Sequence, residues 1–215
     1  MTIEPTLFAL DHEPVRFDLP DADVVYHPRL FDATDADRLF EDLLAGVAWH
    51  QDHIRIHGRE LPVPRLTAWH GDVDRVYSYS GIDLSPRPWT VPLLEIKQSV
   101  EAVVSCAGNW SSNSVLLNQY RDGRDSVAWH ADDEPELGIE PVIASVSLGA
   151  TRRFHMRHRT IADCRLNVEL THGSLLVMRG PTQHHWMHQV PKTAKPVGAR
   201  INLTYRLVSP SAPAR

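Results

Sequence analysis

The second half of the chain alternates short apolar segments with glycine turns, and this pattern restricts the fold more than any other feature. From Val115 onward, segments of alternating apolar and polar residues are separated by turns that end in glycine. The turns are Asp122-Gly123, Leu137-Gly138, Leu148-Gly149 and Arg179-Gly180. Short strands with no helical segments between them are typical of closed antiparallel sheets. The pattern predicts a jelly-roll core.

Two helices are expected before this region. Residues 32–37 contain three aspartates that can cap a helix, and an apolar stripe at helical spacing follows: Leu39, Phe40, Leu43, Leu44 and Val47. A second helix is expected from about Val91 to Ala107. Its expected buried side consists of Leu93, Leu94, Ile96, Val100, Val103 and Val104. The expected class is therefore mainly β with flanking helices (α+β).

Length and composition indicate one domain. A chain of 215 residues with 42% hydrophobic and 23% charged residues can bury a full core. It begins without a basic segment followed by an apolar one, and no apolar run reaches the ~18 residues needed to span a bilayer. Cys106 and Cys164 are the two cysteines, which fits reduced thiols better than a disulfide framework. We expect a cytoplasmic monomer without a membrane anchor.

The motif with the clearest chemistry is His130-Ala131-Asp132. On a strand, residues i and i+2 point to the same side, and a further histidine would complete a facial triad for Fe(II) with open coordination positions. The chain holds 13 histidines, and the spacing recurs at His50-Gln51-Asp52 and His70-Gly71-Asp72. Only the first pair lies between strand-like segments, 114–120 and 141–148. The other two are expected to be exposed polar loop residues.

Three downstream histidines compete to be the third metal ligand. In an extended chain, His184 and His188 share a face and His185 points away, so the spacing excludes only His185. Arg200 and Arg206 follow, six residues apart and therefore on one face of a strand. A buried guanidinium on that face can hold the carboxylate of an organic cosubstrate in a bidentate pair.

Ordered blocks of sequence extend from about residue 60 to residue 208. They are Pro64–Trp69, Tyr77–Gly81, Asn118–Tyr120, Trp129–Pro135, Ile143–Arg152, His172–Leu176 and Arg200–Arg206. Together they resemble the AlkB family of nucleic-acid dealkylating dioxygenases, nearest its DNA- and RNA-repair branch. The resemblance implies a double-stranded β-helix with two helices supporting one sheet.

A single domain, 1–215, follows from this resemblance and from the pattern along the chain. Residues 1–28 contain four prolines and are expected to form an irregular extension. Residues 29–113 would hold the helices and the nucleotide-recognition region. Residues 114–208 would form the catalytic core, and 209–215 a frayed tail.

The resemblance also implies the cosubstrates and their ligands. It selects His188 as the third Fe(II) ligand beside His130 and Asp132, and gives Arg206 the distal carboxylate of 2-oxoglutarate, with Arg200 on the same side. The remaining residues expected to bind 2-oxoglutarate are Asn118, Tyr120, Asn202 and Thr204. O2 would take the remaining coordination position.

The implied reaction is oxidative demethylation of N-alkylated bases in DNA or RNA, which repairs alkylation damage and releases formaldehyde while 2-oxoglutarate becomes succinate. A base in a duplex must be flipped out to reach the iron. The implied base pocket contains Tyr77, Ser78 and Tyr79, and Asp133 and Glu134 can attract a cationic base. The alternatives are a hydroxylase of a small molecule or protein side chain, and a metal-binding jelly-roll without activity, against which the cosubstrate residues argue.

Contacts with the nucleic-acid chain are expected at two places. Residues 52–59 alternate polar and apolar residues and turn at Gly58, and in relatives that repair duplexes the corresponding loop inserts a wedge into the base stack. Ile56-His57-Gly58 matches that wedge, flanked by Arg55 and Arg59 for phosphates. A basic segment offers further phosphate contacts through Arg152, Arg153 and Arg157, although the net charge is −5.

Overall fold

The computed structural model describes residues 2–3, 13–56, 58–72, 77–79, 82–84, 86–105 and 109–209; for 2–3, 55–56, 59, 77–79 and 82–84 it describes the backbone alone. Within these ranges the chain forms two large sheets, two separate hairpins and three α-helices. None of the described helices is long and apolar enough to cross a membrane.

The larger sheet has seven strands, each antiparallel to its neighbours. Their order is β2 (Val15–Phe17), β3 (Asp23–His27), β14 (Ser174–Arg179), β11 (Ile143–Gly149), β16 (Arg200–Arg206), β9 (Ser114–Tyr120) and β6 (Leu66–Gly71). Strands distant in sequence are neighbours, as a jelly-roll requires.

The smaller sheet has five strands. Their order is β1 (Thr2–Ile3), β13 (Arg165–Leu170), β12 (Arg152–His158), β15 (Trp186–Val190) and β10 (Val127–His130). Only the β1–β13 pair is parallel. Two hairpins stand apart from both sheets: β4 (His53–Ile56) with β5 (Arg59–Pro62), and β7 (Tyr77–Tyr79) with β8 (Ile82–Leu84).

The larger sheet lies between two apolar layers. Helices α1 (Ala33–Gly46) and α2 (Val91–Val104) pack on one face, and the smaller sheet packs on the other. All seven residues of β16 are buried, because the strand is central and both of its faces are covered. Its odd-numbered residues, such as Leu203, face the helices, whereas Arg200 and its even-numbered partners face the space between the sheets. The mainly β jelly-roll expectation is confirmed.

The two predicted helices are also confirmed. The Asp32 carboxylate accepts a hydrogen bond from the Asp35 backbone N–H at 2.9 Å, which caps α1 as expected. In α2 the stripe at i, i+3 and i+7 that begins at Leu93 is buried. Leu94 was expected on that side, but it is 41% exposed because it lies one residue, or 100°, around the helix.

The irregular N-terminal extension predicted for residues 1–28 is wrong between residues 15 and 27. Strand β3 pairs with β14 and carries three buried residues, Val24, Val25 and Tyr26. The prolines at 14, 20 and 28 stand at the ends of β2 and β3 rather than inside them. Proline at a strand end removes no ladder hydrogen bond, so this proline-rich segment still adds two strands to the sheet.

The β4–β5 hairpin turns where the sequence predicts. Gly58 adopts a φ of +77°, a left-handed conformation that favours glycine. Gly149, at the end of β11, adopts +85°, and a Cβ there would lie 2.5 Å from the carbonyl oxygen of Ala199. A side chain at Gly149 would therefore separate β11 from the segment that leads into β16.

Candidate metal centre and cosubstrate pocket

His130, Asp132 and His188 come together between the sheets. One ligand atom from each lies within 4.8 Å of the other two, and Asp132 and His188 are each only 4% exposed. His130 and His188 are direct cross-strand partners on β10 and β15, where a β-bulge shifts the register. His130 ends its strand, so Asp132 lies in the following loop rather than on the strand as predicted. The three side chains nevertheless converge.

The hydrogen bonds leave the metal-binding atoms available. His130 Nδ1 lies 2.9 Å from the carbonyl oxygen of Ala128, which can only accept, so Nδ1 carries the proton and Nε2 keeps its lone pair. Burial, assisted by neighbouring His130, lowers the pKa of His188 to about 3, so this imidazole is neutral near pH 7. Two imidazoles and one carboxylate on one side of a cavity fit Fe(II) with open positions.

Asp132 is ionised despite its burial. Burial would raise the pKa of its carboxyl group, but the charge of Arg206 outweighs that effect, and the pKa lies below its usual value. Arg206 Nη2 donates to Asp132 Oδ1 at 2.6 Å. Arg206 therefore supports a metal ligand directly.

Of the three competing histidines, His188 is the one that joins the triad. His184 does not share its face, because the chain before β15 is not extended. Thr182–His185 form a short helix, α3, and β15 begins only at Trp186. The expectation that His184 and His188 share a face of extended chain is therefore wrong. His184 instead contacts the carbonyl oxygen of Ile139, and His185 points toward Asp21.

Arg200 is a buried cation with donors that could bind a carboxylate. It is 1% exposed and lies 5.1 Å from the ring centroid of Tyr120, and its Nη2 donates to Ser147 Oγ at 2.9 Å. Its Nε and Nη1 groups are buried without a hydrogen-bond partner among the described residues. Burial lowers the pKa of Arg200, but a guanidinium still keeps its charge near pH 7. Arg200 therefore has buried donors that could bind a carboxylate, and the assignment of the distal carboxylate of 2-oxoglutarate to Arg206 stays a prediction.

Polar side chains from three neighbouring strands surround these two arginines. Asn202 donates from Nδ2 to Ser145 Oγ at 2.8 Å and accepts at Oδ1 from Thr204 at 3.3 Å. Asn118 Oδ1 accepts from Arg65 Nε at 2.6 Å. The cavity is lined by the triad and by Arg65, Leu116, Asn118, Tyr120, Val127, Ile143, Ser145, Phe154, Leu170, Met178, Val190, Arg200, Asn202, Thr204 and Arg206. All six residues predicted to bind 2-oxoglutarate therefore line the same cavity.

The sequence did not single out Arg65, although it lines the cavity and is 8% exposed. It is neighbour to Pro64 in a block that carried the family resemblance. Position in that block was the only available signal, because one arginine before a strand has no spacing that indicates a site.

The two acids after Asp132 differ in their surroundings. Asp133 pairs with Arg159 at 2.7 Å and is 43% exposed, so it already has a cationic partner. Glu134 precedes the short 3-10 helix Pro135–Leu137, and its Oε2 is buried without a hydrogen-bond partner in the described ranges. Of the two, Glu134 has the carboxylate oxygen still available for another group.

The residues expected to contact the base and the wedge loop are described only in part. Tyr77, Ser78 and Tyr79 form the backbone of strand β7. Arg55 and Ile56 lie on β4 and Arg59 opens β5, with Gly58 at the turn. His57 lies outside the described residues.

The predicted basic strip is split between two faces of β12. Arg153 and Arg157 point outward, where Arg157 lies 4.3 Å above the Trp129 ring. Arg152 is 3% exposed and donates to the carbonyl oxygens of Asp122, Asp125 and Pro191. The expectation that Arg152 contacts phosphate is therefore wrong, because strand alternation turns it into the core.

In each of the two other His-x-Asp pairs, the histidine contacts a group of the protein itself. His50 Nε2 lies 3.0 Å from Asp52 Oδ1 at the surface. His70 was expected in an exposed loop, but it lies on β6, is 4% exposed, and has Nδ1 2.7 Å from the carbonyl oxygen of Pro88. Neither pair belongs to a three-ligand cluster within the described residues.

A second three-ligand cluster does occur, formed by Asp21, His158 and His185. His158 Nδ1 accepts the backbone N–H groups of Ile161 at 3.0 Å and Thr160 at 3.2 Å. Nε2 must therefore carry the proton, which it donates to Asp21 Oδ2 at 3.2 Å. The cluster is a hydrogen-bonded clamp with no free lone pair on His158 for a metal.

Comparison with known proteins agrees with this geometry. The family model described as the 2OG-Fe(II) oxygenase superfamily matches residues 23–206. Mouse alpha-ketoglutarate-dependent dioxygenase alkB homolog 3 is 43% identical over 200 residues, which cover 87% of this chain and 66% of that protein. Human DNA oxidative demethylase ALKBH2 is 40% identical over 192 residues, covering 83% and 71%. The chain belongs to the AlkB family.

The fold agrees with that of a solved AlkB-family structure as well. The structure of OsALKBH1 superposes with a TM-score of 0.62 at 17% identity and covers 89% of this chain and 99% of its own. The chain spans slightly less than two thirds of the alkB homolog 3 proteins it matches, 66% in mouse and 64% in rat. The superfamily is named for Fe(II) and 2-oxoglutarate (2OG), the metal and the cosubstrate that the sequence predicts for this chain.

Proposed function

We propose that the protein removes alkyl groups from N-alkylated bases of DNA by oxidation. The observation that carries the proposal is the triad, which lines the same cavity as the buried Arg200, in a chain 40% identical to a DNA oxidative demethylase. The balanced reaction converts an N-methyl base, 2-oxoglutarate and O2 into the free N–H base, formaldehyde, succinate and CO2. Fe(II) with its cosubstrates supplies the oxidant that takes hydrogen from the methyl carbon.

The triad holds the metal by the Nε2 atom of His130, the Asp132 carboxylate and His188. Arg200 binds the distal carboxylate of 2-oxoglutarate through its two unpartnered N–H groups, and the ring of Tyr120 fixes the guanidinium plane. Arg206 keeps Asp132 ionised and in place. The other cosubstrate contacts are Asn118, Asn202 and Thr204, to which we add Arg65 because it holds Asn118. Apolar lining residues such as Phe154 exclude water from the oxidant.

The flipped base would be bound beside the open coordination positions. Tyr77 and Tyr79, both on β7, would line its pocket with Ser78 between them. The buried oxygen of Glu134 would attract a cationic methylated ring or its exocyclic amine. Asp133 would instead hold Arg159, because that pair is already formed.

Contacts outside the base pocket fall on the β4–β5 hairpin and the outer face of β12. Arg55 and Arg59 flank the turn, and Arg153 and Arg157 are the outward residues of the basic segment. We propose that all four contact phosphates. Ile56, His57 and Gly58 would fill the vacancy left by the flipped base.

The decisive experiment measures repair directly. The protein is incubated with Fe(II), 2-oxoglutarate and a panel of oligonucleotides, each with one N-methylated base, as DNA and as RNA. We expect mass spectrometry to show loss of one methyl group from DNA, with formaldehyde and succinate formed in equal amounts. His188→Ala is the inactive control. If no methylated oligonucleotide reacts or raises 2-oxoglutarate turnover, the substrate is a small molecule or a protein side chain.

The wedge has its own test. His57→Ala should slow repair in double-stranded DNA several-fold more than in single-stranded DNA, because only the duplex has a vacancy to fill. Glu60→Ala, on the exposed part of the same hairpin, is the matched control. Equal slowing on both substrates would argue for a single-strand enzyme.

The expected monomeric state and cytoplasmic location stay predictions. Size-exclusion chromatography with light scattering tests the first, and cell fractionation tests the second.

A further inference from the structure

A buried amide connects the two segments that carry the metal ligands. Gln183, in the helical turn before β15, is 1% exposed. Its Oε1 accepts the backbone N–H of Asp132 at 2.9 Å, and its Nε2 lies 3.6 Å from Met178 Sδ. Asp132 lies 51 residues earlier in the chain, so this one hydrogen bond joins the loop after β10 to the turn that precedes His188.

A second contact joins the same two segments at the surface. Arg159 Nη2 lies 2.7 Å from Asp133 Oδ2 and 3.4 Å from the carbonyl oxygen of Gln183. The backbone N–H of Arg159 also donates to the carbonyl oxygen of His185 at 2.8 Å. Arg159, the residue after β12, therefore holds the turn, and the loop that carries Asp132 is held on the turn.

The buried contact controls where the carboxylate of Asp132 can lie. Asp132 follows the end of a strand, so no ladder hydrogen bond fixes its backbone there. Its N–H group is buried and has Gln183 as the partner. A ligand on a loop needs such support, because metal affinity falls when the groups that orient a ligand are lost.

We propose that Gln183 is a positioning residue for the metal centre. It fixes the backbone of Asp132, so that the carboxylate already lies near His130 and His188 before the metal binds. Metal binding then has to order little of the loop. The proposal rests on the triad as the metal site, which is part of the proposed function, but it does not depend on the identity of the substrate.

The test measures Mn(II) affinity by isothermal titration calorimetry without any organic substrate. Gln183→Met keeps the length of the side chain and removes its oxygen acceptor, whereas Gln183→Glu keeps an acceptor oxygen. We expect Mn(II) to bind about 10–100-fold more weakly to Gln183→Met and within a few-fold of wild type to Gln183→Glu. Gln189→Met, on the outward side of β15, is the matched control and should bind Mn(II) like the wild type.

Thermal unfolding of the metal-free variants separates positioning from general stability. A lower Tm in Gln183→Met with unchanged Mn(II) affinity would overturn the proposal, as would equal weakening in the Met and Glu variants. If Gln183→Met does not fold, Gln183→Asn takes its place, because the shorter amide cannot reach the N–H of Asp132. Wild-type affinity in Gln183→Asn would then overturn it.

The outcomes for the two proposals are distinct. Mn(II) binding that depends on Gln183, in a protein that repairs no methylated oligonucleotide, would leave this inference standing and remove the proposed function. Repair of DNA by a Gln183→Met variant with unchanged Mn(II) affinity would do the reverse. Failure of the wild type to bind Mn(II) would overturn both.

Discussion

The described residues include two clusters of two histidines and one aspartate, and only one of these clusters has the properties of a metal centre. In the triad, His130 directs its protonated nitrogen to a backbone carbonyl and its free lone pair into the cavity. In the Asp21 cluster, His158 Nδ1 accepts hydrogen bonds from two backbone N–H groups, and the Nε2–H group donates a hydrogen bond to Asp21. The residue types are identical, and the hydrogen bonds to the second nitrogen decide the role.

The clusters also differ in what surrounds them. The triad aspartate is 4% exposed and lines a cavity together with two buried arginines, Arg200 and Arg206, whereas the Asp21 carboxylate is 50% exposed at the surface. A buried, water-poor site strengthens the attraction between a metal, its carboxylate ligand and an anionic cosubstrate. Proximity of metal-binding residues is therefore insufficient, and the free lone pairs and the nearby cations identify the site.

The largest effect is expected from the metal ligands. His188→Ala or Asp132→Ala should weaken Mn(II) binding by more than about 100-fold, since removing a ligand costs more than removing a supporting hydrogen bond. His158→Ala should leave the affinity unchanged. Calorimetric titration should give one Mn(II) per wild-type chain. A second equivalent that disappears in His158→Ala would remove the distinction between the clusters.

A smaller effect is expected from Arg200, which lines the cavity of the triad and has no counterpart in the Asp21 cluster. Arg200→Met should raise the 2-oxoglutarate concentration for half-maximal turnover by about 30-fold or more, because a desolvated carboxylate left unpaired costs about 2–5 kcal/mol. Arg165→Met, exposed on the smaller sheet, should leave it unchanged. If Arg206→Met has this effect and Arg200→Met does not, the assignment made from the sequence is correct.

The smallest effect is expected in the Asp21 cluster and concerns stability. His158→Ala leaves two backbone N–H groups without their acceptor, which should lower the free energy of unfolding by about 1–3 kcal/mol. His185→Ala removes a partly exposed ring and should change it by less than about 0.5 kcal/mol. Urea unfolding monitored by circular dichroism measures both. A larger loss in His185→Ala would contradict the clamp.

Much of the fold follows from local sequence patterns. The strands after Val115 and the two helices were predictable because apolar periodicity and turn glycines act over a few residues. Strand β3 was not, because Pro20 and Pro28 flank a short apolar run whose pairing partner, β14, lies about 150 residues later in the chain. Pairing over such a separation has no local signal.

The residue types of the site and the strand faces that carry them were predictable. The burial of each side chain and its hydrogen-bond partners were not. The spacing placed Arg200 and Arg206 on one face of β16, where they lie. Spacing could not show that Arg206 would be occupied by Asp132 while Arg200 kept unpartnered donors. For the same reason, the role predicted for Arg152 was wrong and Gln183 was not singled out, since the contacts of both depend on carbonyl and N–H groups brought near by the fold.

The position of β3 has a practical consequence for anyone who shortens this chain. Residues 23–27 cover the edge of β14, a strand whose sequence, Ser-Leu-Leu-Val-Met-Arg, is mostly apolar. A chain begun at residue 29, as the proline pattern would suggest, would leave that ladder of backbone groups open to solvent. Open, apolar edge strands pair with other molecules and drive aggregation. Poor yield of such a truncated protein would therefore reflect a lost edge cover rather than a defective catalytic core.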